Sequence, residues 1–156
     1  MNDKNKKNAV WILVKPETLH FYEHDLKKVL EENGFFLKEK RSCNDFLEMS
    51  NELYDKASVF SPLHKALNMY FFGENANCCE VWFLGGNEKT DRNSLFAKLG
   101  QIKKDFRTHH YVEGLKINVE FNGVQSAFGF GFFHVPDPND VDIERETQII
   151  NKHLND

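Results

Sequence analysis

The chemistry of this chain is most readily read at His134. That residue stands in the stretch FGFGFFHVPD, residues 128–137, and an acid-rich helical segment with Glu144, Arg145 and Glu146 comes after it. An imidazole acts as a nucleophile when one ring nitrogen is neutral and an acceptor holds the other side of the ring. The helix begins just past the end of the strand-like stretch, so it could return a carboxylate to the ring. Spacing alone leaves a plainer reading open: a half-buried strand histidine with a surface helix beyond it. Metal chemistry has less behind it. His20 and His24 lie one turn apart in a helix-like segment and His109 and His110 are adjacent, but no third ligand stands at a recognisable spacing.

Composition narrows the classes. A chain of 156 residues that is 40% hydrophobic, with 15 phenylalanines, suits one compact domain with a real core rather than a disordered segment. The longest apolar runs are a few residues, which argues against a membrane span. Residues 1–8, MNDKNKKN, read as a disordered polar tail rather than a secretory signal, ahead of a single domain over 9–156. The net charge of −4 lacks the basic footprint with which general nucleic-acid binders displace counterions. Cys43, Cys78 and Cys79 fit neither a disulfide framework nor a zinc spacing, so a reducing, cytoplasmic setting is expected.

The elements that must position His134 come from periodicity. AVWILVK, closed by Pro16, reads as a buried strand, and Tyr22, Leu26, Val29 and Leu30 mark one face of a helix stopped by Gly34. A second strand is expected over residues 35–41. Two helical pieces are expected over 45–72, with Leu63, Leu67 and Tyr70 as the stripe of the second. A third strand over 78–84 and a helix over 93–104 complete the middle of the chain. Asn122-Gly123 between apolar-alternating arms signals a β-hairpin near 115–130, because both turn residues must tolerate positive φ. A last helix from Asp140 places Ile143, Thr147, Ile150 and Leu154 on one face. Setting the hairpin aside, the order predicts an α+β fold: a ferredoxin-like βαββαβ sandwich, an antiparallel sheet with helices packed on it, plus the inserted hairpin.

Two motif readings compete with a reactive histidine. Gly129-Phe130-Gly131-Phe132 overlaps the glycine-aromatic core of an RNA-recognition module, a fold of the same topology. That signature belongs on the third of four strands, and the chain beyond His134 reads as a single helix. GGNEKTD has a passing likeness to a phosphate-cradling loop, but Glu88 stands where a glycine is needed and would repel phosphate.

Four separated pieces of the chain together resemble the nucleoside diphosphate kinase family. Val14-Lys15-Pro16-Glu17 is close to the family's VKPD. Trp82 through Lys89 to Arg92 keeps the family's spacing, and Gln101–Phe106 is similar to its TIRGDF. His134-Val-Pro-Asp137 with Glu144-Arg-Glu146 resembles its HGSD…EREI, the most specific of the four. The resemblance implies a ping-pong transfer in which a nucleoside triphosphate such as ATP phosphorylates His134, which then phosphorylates a diphosphate such as GDP. It implies that Glu146 orients the imidazole, that Lys15, Arg92 and Lys103 supply positive charge, and that Mg²⁺ bridges phosphates rather than sitting in a protein cage. Tyr54 would match an active-site tyrosine, and Phe60 would offer the base an aromatic face. The expected partners are nucleotides, with no membrane, and the expected assembly is a homo-oligomer. A catalytically weak nucleotide-binding or regulatory protein on the same fold is the alternative.

The chain departs from the family pattern at several points. Thr18 stands for a glycine, Lys103 for an arginine, Gly131 for an asparagine and Pro136 for a serine. The loop after Arg92 is shorter, and the hairpin replaces a glycine-rich turn before His134.

Overall fold

A computed structural model of the chain describes residues 9–53, 69–70, 72–112, 117–121, 124–128 and 132–154. The expected N-terminal tail, Tyr54, Phe60, Leu63, Leu67 and Gly131 lie outside the described residues. The fold is α+β. Its strands are β1 (Ala9–Val14), β2 (Phe36–Cys43), β3 (Cys79–Gly85), β4 (Ile117–Phe121), β5 (Val124–Phe128) and β6 (Phe133–His134). The helices are α1 (Pro16–Phe21), α2 (Glu23–Glu32), α3 (Phe46–Leu53), α4 (Arg92–Val112) and α5 (Asp140–His153). A four-stranded sheet runs in the order β2-β3-β1-β6, every neighbouring pair antiparallel, and is compatible with a ferredoxin-like arrangement. Between α4 and β6, β4 and β5 pair antiparallel as a separate two-stranded sheet.

β1 lies between β3 and β6, so it has a neighbour on both edges, and Val10 through Val14 are all buried. A strand covered on both faces reads as a continuous apolar run rather than an alternating one, which is what AVWILV is. Side chains alternate along it. Trp11 turns to the face shared with His134, where its ring meets Phe96 of α4 edge-on at 6.0 Å and its Nε1–H donates to Thr147 Oγ1 of α5 at 2.9 Å. Ile12 lies opposite Trp82 on the other face, where Lys40 stands over the Trp82 ring at 4.9 Å. Edge strand β2 is guarded by charge: its bulge falls between Leu37 and Glu39, and Lys40 pairs with Glu23 of α2 at 2.6 Å.

Three expectations are corrected by local packing. The single helix expected before Gly34 is broken at Tyr22, whose backbone (φ −133°, ψ 15°) leaves the helical region. The Tyr22 ring stands edge-on to Phe106 at 6.4 Å and to Phe132 at 5.6 Å, so core packing outweighs the modest cost of interrupting the helix. In consequence His20 and His24 belong to separate helices rather than to successive turns of one. The helix expected over 93–104 runs on to Val112, because Leu95, Leu99, Ile102 and Phe106 continue one buried stripe. Tyr70, expected on an apolar stripe, is 81% exposed. Strand bounds shift by a residue or two.

The two ends of α5 are fastened differently. Asn139 caps the N-terminus, its Oδ1 accepting from the Asp142 amide at 2.9 Å. At the C-terminus His153 lies between two acids, with Nδ1 2.6 Å from Asp45 and Nε2 on Glu52, beside the α3 helix it anchors. Among the described residues no helix is long and apolar enough to cross a membrane. The cysteines are free, with Cys43 directly opposite Cys79 in the sheet.

The His153 clamp has a pH signature. Hydrogen bonds to Glu52 and Asp45 outweigh the burial that opposes them and raise the imidazole's pKa. A raised histidine pKa gives stability that is fully present below the unfolded value, near 6.5, and is lost as pH rises through the folded value. The partners are partly exposed, so the contribution is about 1 kcal/mol at most. His153→Gln should therefore lower urea stability at pH 6 and converge on the wild type by pH 9; an equal deficit at both would sink the clamp's charge as the cause.

Candidate functional site

The site forms where β1 ends, β6 begins and α5 passes behind. β6 contributes two ladder pairs, Leu13 with His134 and Val14 with Phe133. The next step continues the contact, with Lys15 N–H donating to the Phe132 carbonyl at 3.0 Å. His134 is thus set on the sheet face that α5 covers, only 7% exposed, 6.4 Å from the Trp11 ring.

Glu146, 5% exposed, meets His134 through a hydrogen bond between its Oε1 and the ring Nε2. A carboxylate accepts, so Nε2–H donates, and in the neutral ring the lone pair then lies on Nδ1. Glu146 is aimed by its own helix. Ile143 and Ile150 are buried on either side of it, and the adjacent Thr147 is tied to Trp11. Arg145, on the helix's other flank, donates to the Glu52 and Leu53 carbonyls at 3.4 and 3.3 Å, capping α3.

Burial lowers the pKa of His134, and Lys103 and Lys15 push the same way, against the hydrogen bond and charge of Glu146. The ring is therefore held neutral to lower pH than a solvated histidine. Lys103, half-buried on α4, has its pKa lowered to about 7 by burial and by the nearby Lys15 and Arg107, against Glu146 and Asp137. Several cations gathered this closely repel one another, and a bound anion would relieve that repulsion. The arrangement offers a neutral imidazole with a fixed tautomer beside an electropositive patch. It is suited to attack on an electrophile that carries negative charge.

The structure brings His134, Glu146, Lys15 and Lys103 together. It ties Arg92, at the first turn of α4, to Asp140 at the first turn of α5 by a 3.4 Å ion pair. Lys89 sits in a turn where its amide donates to Asn87 Oδ1 at 2.9 Å. His109 lies on the exposed flank of α4, lining a groove of about 440 Å³ with Asp25, Glu32 and Asp105.

Sequence reasoning did not single out Arg107 or the Trp11–Thr147 bond. Arg107 stands one helical turn after Lys103, and that i, i+4 spacing was the available signal. Sequence reasoning treated Thr18 only as a departure, yet Thr18 is fully buried with its hydroxyl donating to the Phe132 carbonyl at 2.8 Å. In comparisons with known proteins, no family model matches the chain and no curated protein matches it.

The electrostatics fix the sign of two variants. Glu146 favours the charged ring and Lys103 disfavours it. NMR titration of the histidine ring signals should therefore give His134 a midpoint below the ordinary value near 6.5. Glu146→Gln should move it lower still and Lys103→Met should move it up. A rise in Glu146→Gln would contradict the assigned hydrogen bond.

Proposed function

We propose that this chain is a nucleoside diphosphate kinase that passes the γ-phosphate of a nucleoside triphosphate to a diphosphate through phospho-His134. The observation that carries the reading is the buried His134–Glu146 pair with Lys15 and Lys103 close enough to act on it electrostatically. The sequence resemblance places those same four residues in these roles. With it goes a reading of the sheet as a ferredoxin-like βαββαβ sandwich, with β4 and β5 as a hairpin inserted before the strand of His134.

In the forward half-reaction the Nδ1 lone pair attacks the γ-phosphorus in line. The bond from that phosphorus to the β,γ-bridging oxygen breaks, and the nucleoside diphosphate leaves with the electron pair. The ring gains positive charge as the N–P bond forms, and Glu146 stabilises it through Nε2–H. The second half-reaction runs the same steps backwards onto a different diphosphate, whose terminal oxygen attacks the phosphorus and frees Nδ1. Lys15 and Lys103 meet the equatorial oxygens, where charge collects in the transition state. The metal comes in as part of the Mg²⁺–nucleotide substrate, bridging its phosphates. A lysine whose pKa is near 7 when alone with other cations regains its proton as a polyanion approaches, so Lys103 is charged when it is needed.

The pairing of Arg92 with Asp140 favours a second reading, a nucleotide-binding protein of weak activity, since Arg92 must leave one carboxylate to meet phosphate. That exchange costs little, because Asp140 is 73% exposed and an exposed pair is worth under about 1 kcal/mol. The roles of Tyr54 as an active-site tyrosine and of Phe60 as an aromatic face for the base, the cytoplasmic setting and a homo-oligomeric assembly belong to the same proposal.

Incubation with γ-labelled ATP and Mg²⁺, followed by intact mass at alkaline pH, tests it. The wild type should gain one phosphate and discharge it onto added GDP, and His134→Ala should gain none. Lys15→Ala and Lys103→Ala should each slow the gain by about 10²- to 10³-fold, the usual loss of one transition-state charge contact. Nucleotide binding without phosphate uptake would leave the second reading; no binding at all would remove both.

A further inference from the structure

We propose that Thr18 and Glu17 are positioning residues for His134, acting by locking the main chain of Phe132. The kinetic part of this inference rests on phosphoryl transfer at His134, and the structural part does not.

Phe132 has φ +68°, the left-handed region that a bulky non-glycine side chain adopts only when its surroundings impose it. Those surroundings are three hydrogen bonds from one short segment. Glu17 Oε1 accepts from the Phe132 amide at 2.9 Å; the Thr18 hydroxyl and the Lys15 amide both donate to its carbonyl, at 2.8 and 3.0 Å. Glu17 and Thr18 are 3% and 0% exposed, so water does not compete for either bond. Glycine would adopt the same φ freely, but the ring is needed. Phe132 is fully buried and stands edge-on to Tyr22 at 5.6 Å and Phe106 at 5.1 Å. Relaxation of that φ would swing the following peptide, and His134 has only two ladder pairs to resist the movement. The ring aim toward Glu146 is therefore set two residues upstream. Lys15 belongs to the same segment, so one bend positions both the imidazole and a cation beside it.

The test compares Thr18→Val with Thr18→Ser in the full chain. Valine keeps the shape and loses the donor, while serine keeps the donor. The His134 ring signals should shift in the valine variant and return in the serine variant. Phosphate uptake from Mg²⁺–ATP should fall about 10- to 100-fold in kcat with KM little changed, as for misaligned reacting groups, and serine should restore most of it. Wild-type ring signals and rate in a folded Thr18→Val protein would overturn the proposal, as would a serine variant as impaired as valine. If valine prevents folding, hydrogen exchange at the wild-type Phe132 amide decides: protection matching Leu13 supports the lock, and fast exchange overturns it. Ring signals that follow the hydroxyl in a protein that takes up no phosphate would keep the positioning and end the kinase reading. Uptake by all three with unchanged signals would do the reverse.

Discussion

Glu146 and His134 are both withdrawn from water, and neither could be left there without the other. Stranding one polar partner in a buried site costs about 1 to 3 kcal/mol, and more if it is charged. Their hydrogen bond therefore acts as a constraint on the whole fold, since the end of the central sheet and the middle of α5 must meet within bonding distance. Much of the remaining architecture reads as the means of holding that meeting. The Asn139 cap fixes where α5 starts, Ile143 and Ile150 fix its rotation, and the Trp11–Thr147 bond fixes its height over β1.

The cost of the arrangement is concentrated at Phe132. A left-handed backbone costs a non-glycine residue about 1 to 2 kcal/mol. Three hydrogen bonds at about 1 kcal/mol each, with burial of a phenylalanine ring at about 2 kcal/mol, exceed that cost. The balance explains why Tyr22 breaks its helix: its ring is one wall of the slot that Phe132 fills. It also gives Thr18 a reason to stand where a glycine was expected. The hydroxyl reaches a carbonyl that glycine could not, and it does so from a fully buried position.

Much of this was legible in the sequence, for identifiable reasons. AVWILV reads as a buried strand and the stripe of Ile143 and Ile150 marks the buried side of α5, while the choice of Glu146 as the partner of His134 came from the family resemblance rather than from periodicity. What periodicity could not give was anything decided by one side chain meeting another across the chain. The helix break at Tyr22, the bond from Trp11 to a threonine 136 residues away, and the bend at Phe132 are contacts of that kind. The stretch FGFGFFH reads as one strand by alternation, yet among its described residues Phe133 and His134 belong to the four-stranded sheet and Phe128 pairs with Ile117 in another. Glycine and aromatic residues alternate well in a strand, but alternation does not say which sheet a residue joins.

The distribution of charge bears on function as well as on fold. The chain has a net charge of −4, yet near His134 burial, together with Lys15 and Arg107, lowers the Lys103 pKa to about 7. Like charges held at a half-buried point repel one another, and burial adds to the cost of keeping them charged. Glu146 and Asp137 offset part of that repulsion, but Glu146 is already committed to the imidazole and Asp137 is exposed. At His134, burial disfavours the protonated imidazole and Lys103 and Lys15 act in the same direction, against the hydrogen bond and charge of Glu146. A buried, oriented imidazole with lysines close enough to act on it is the electrostatic feature on which the proposed phosphoryl transfer rests.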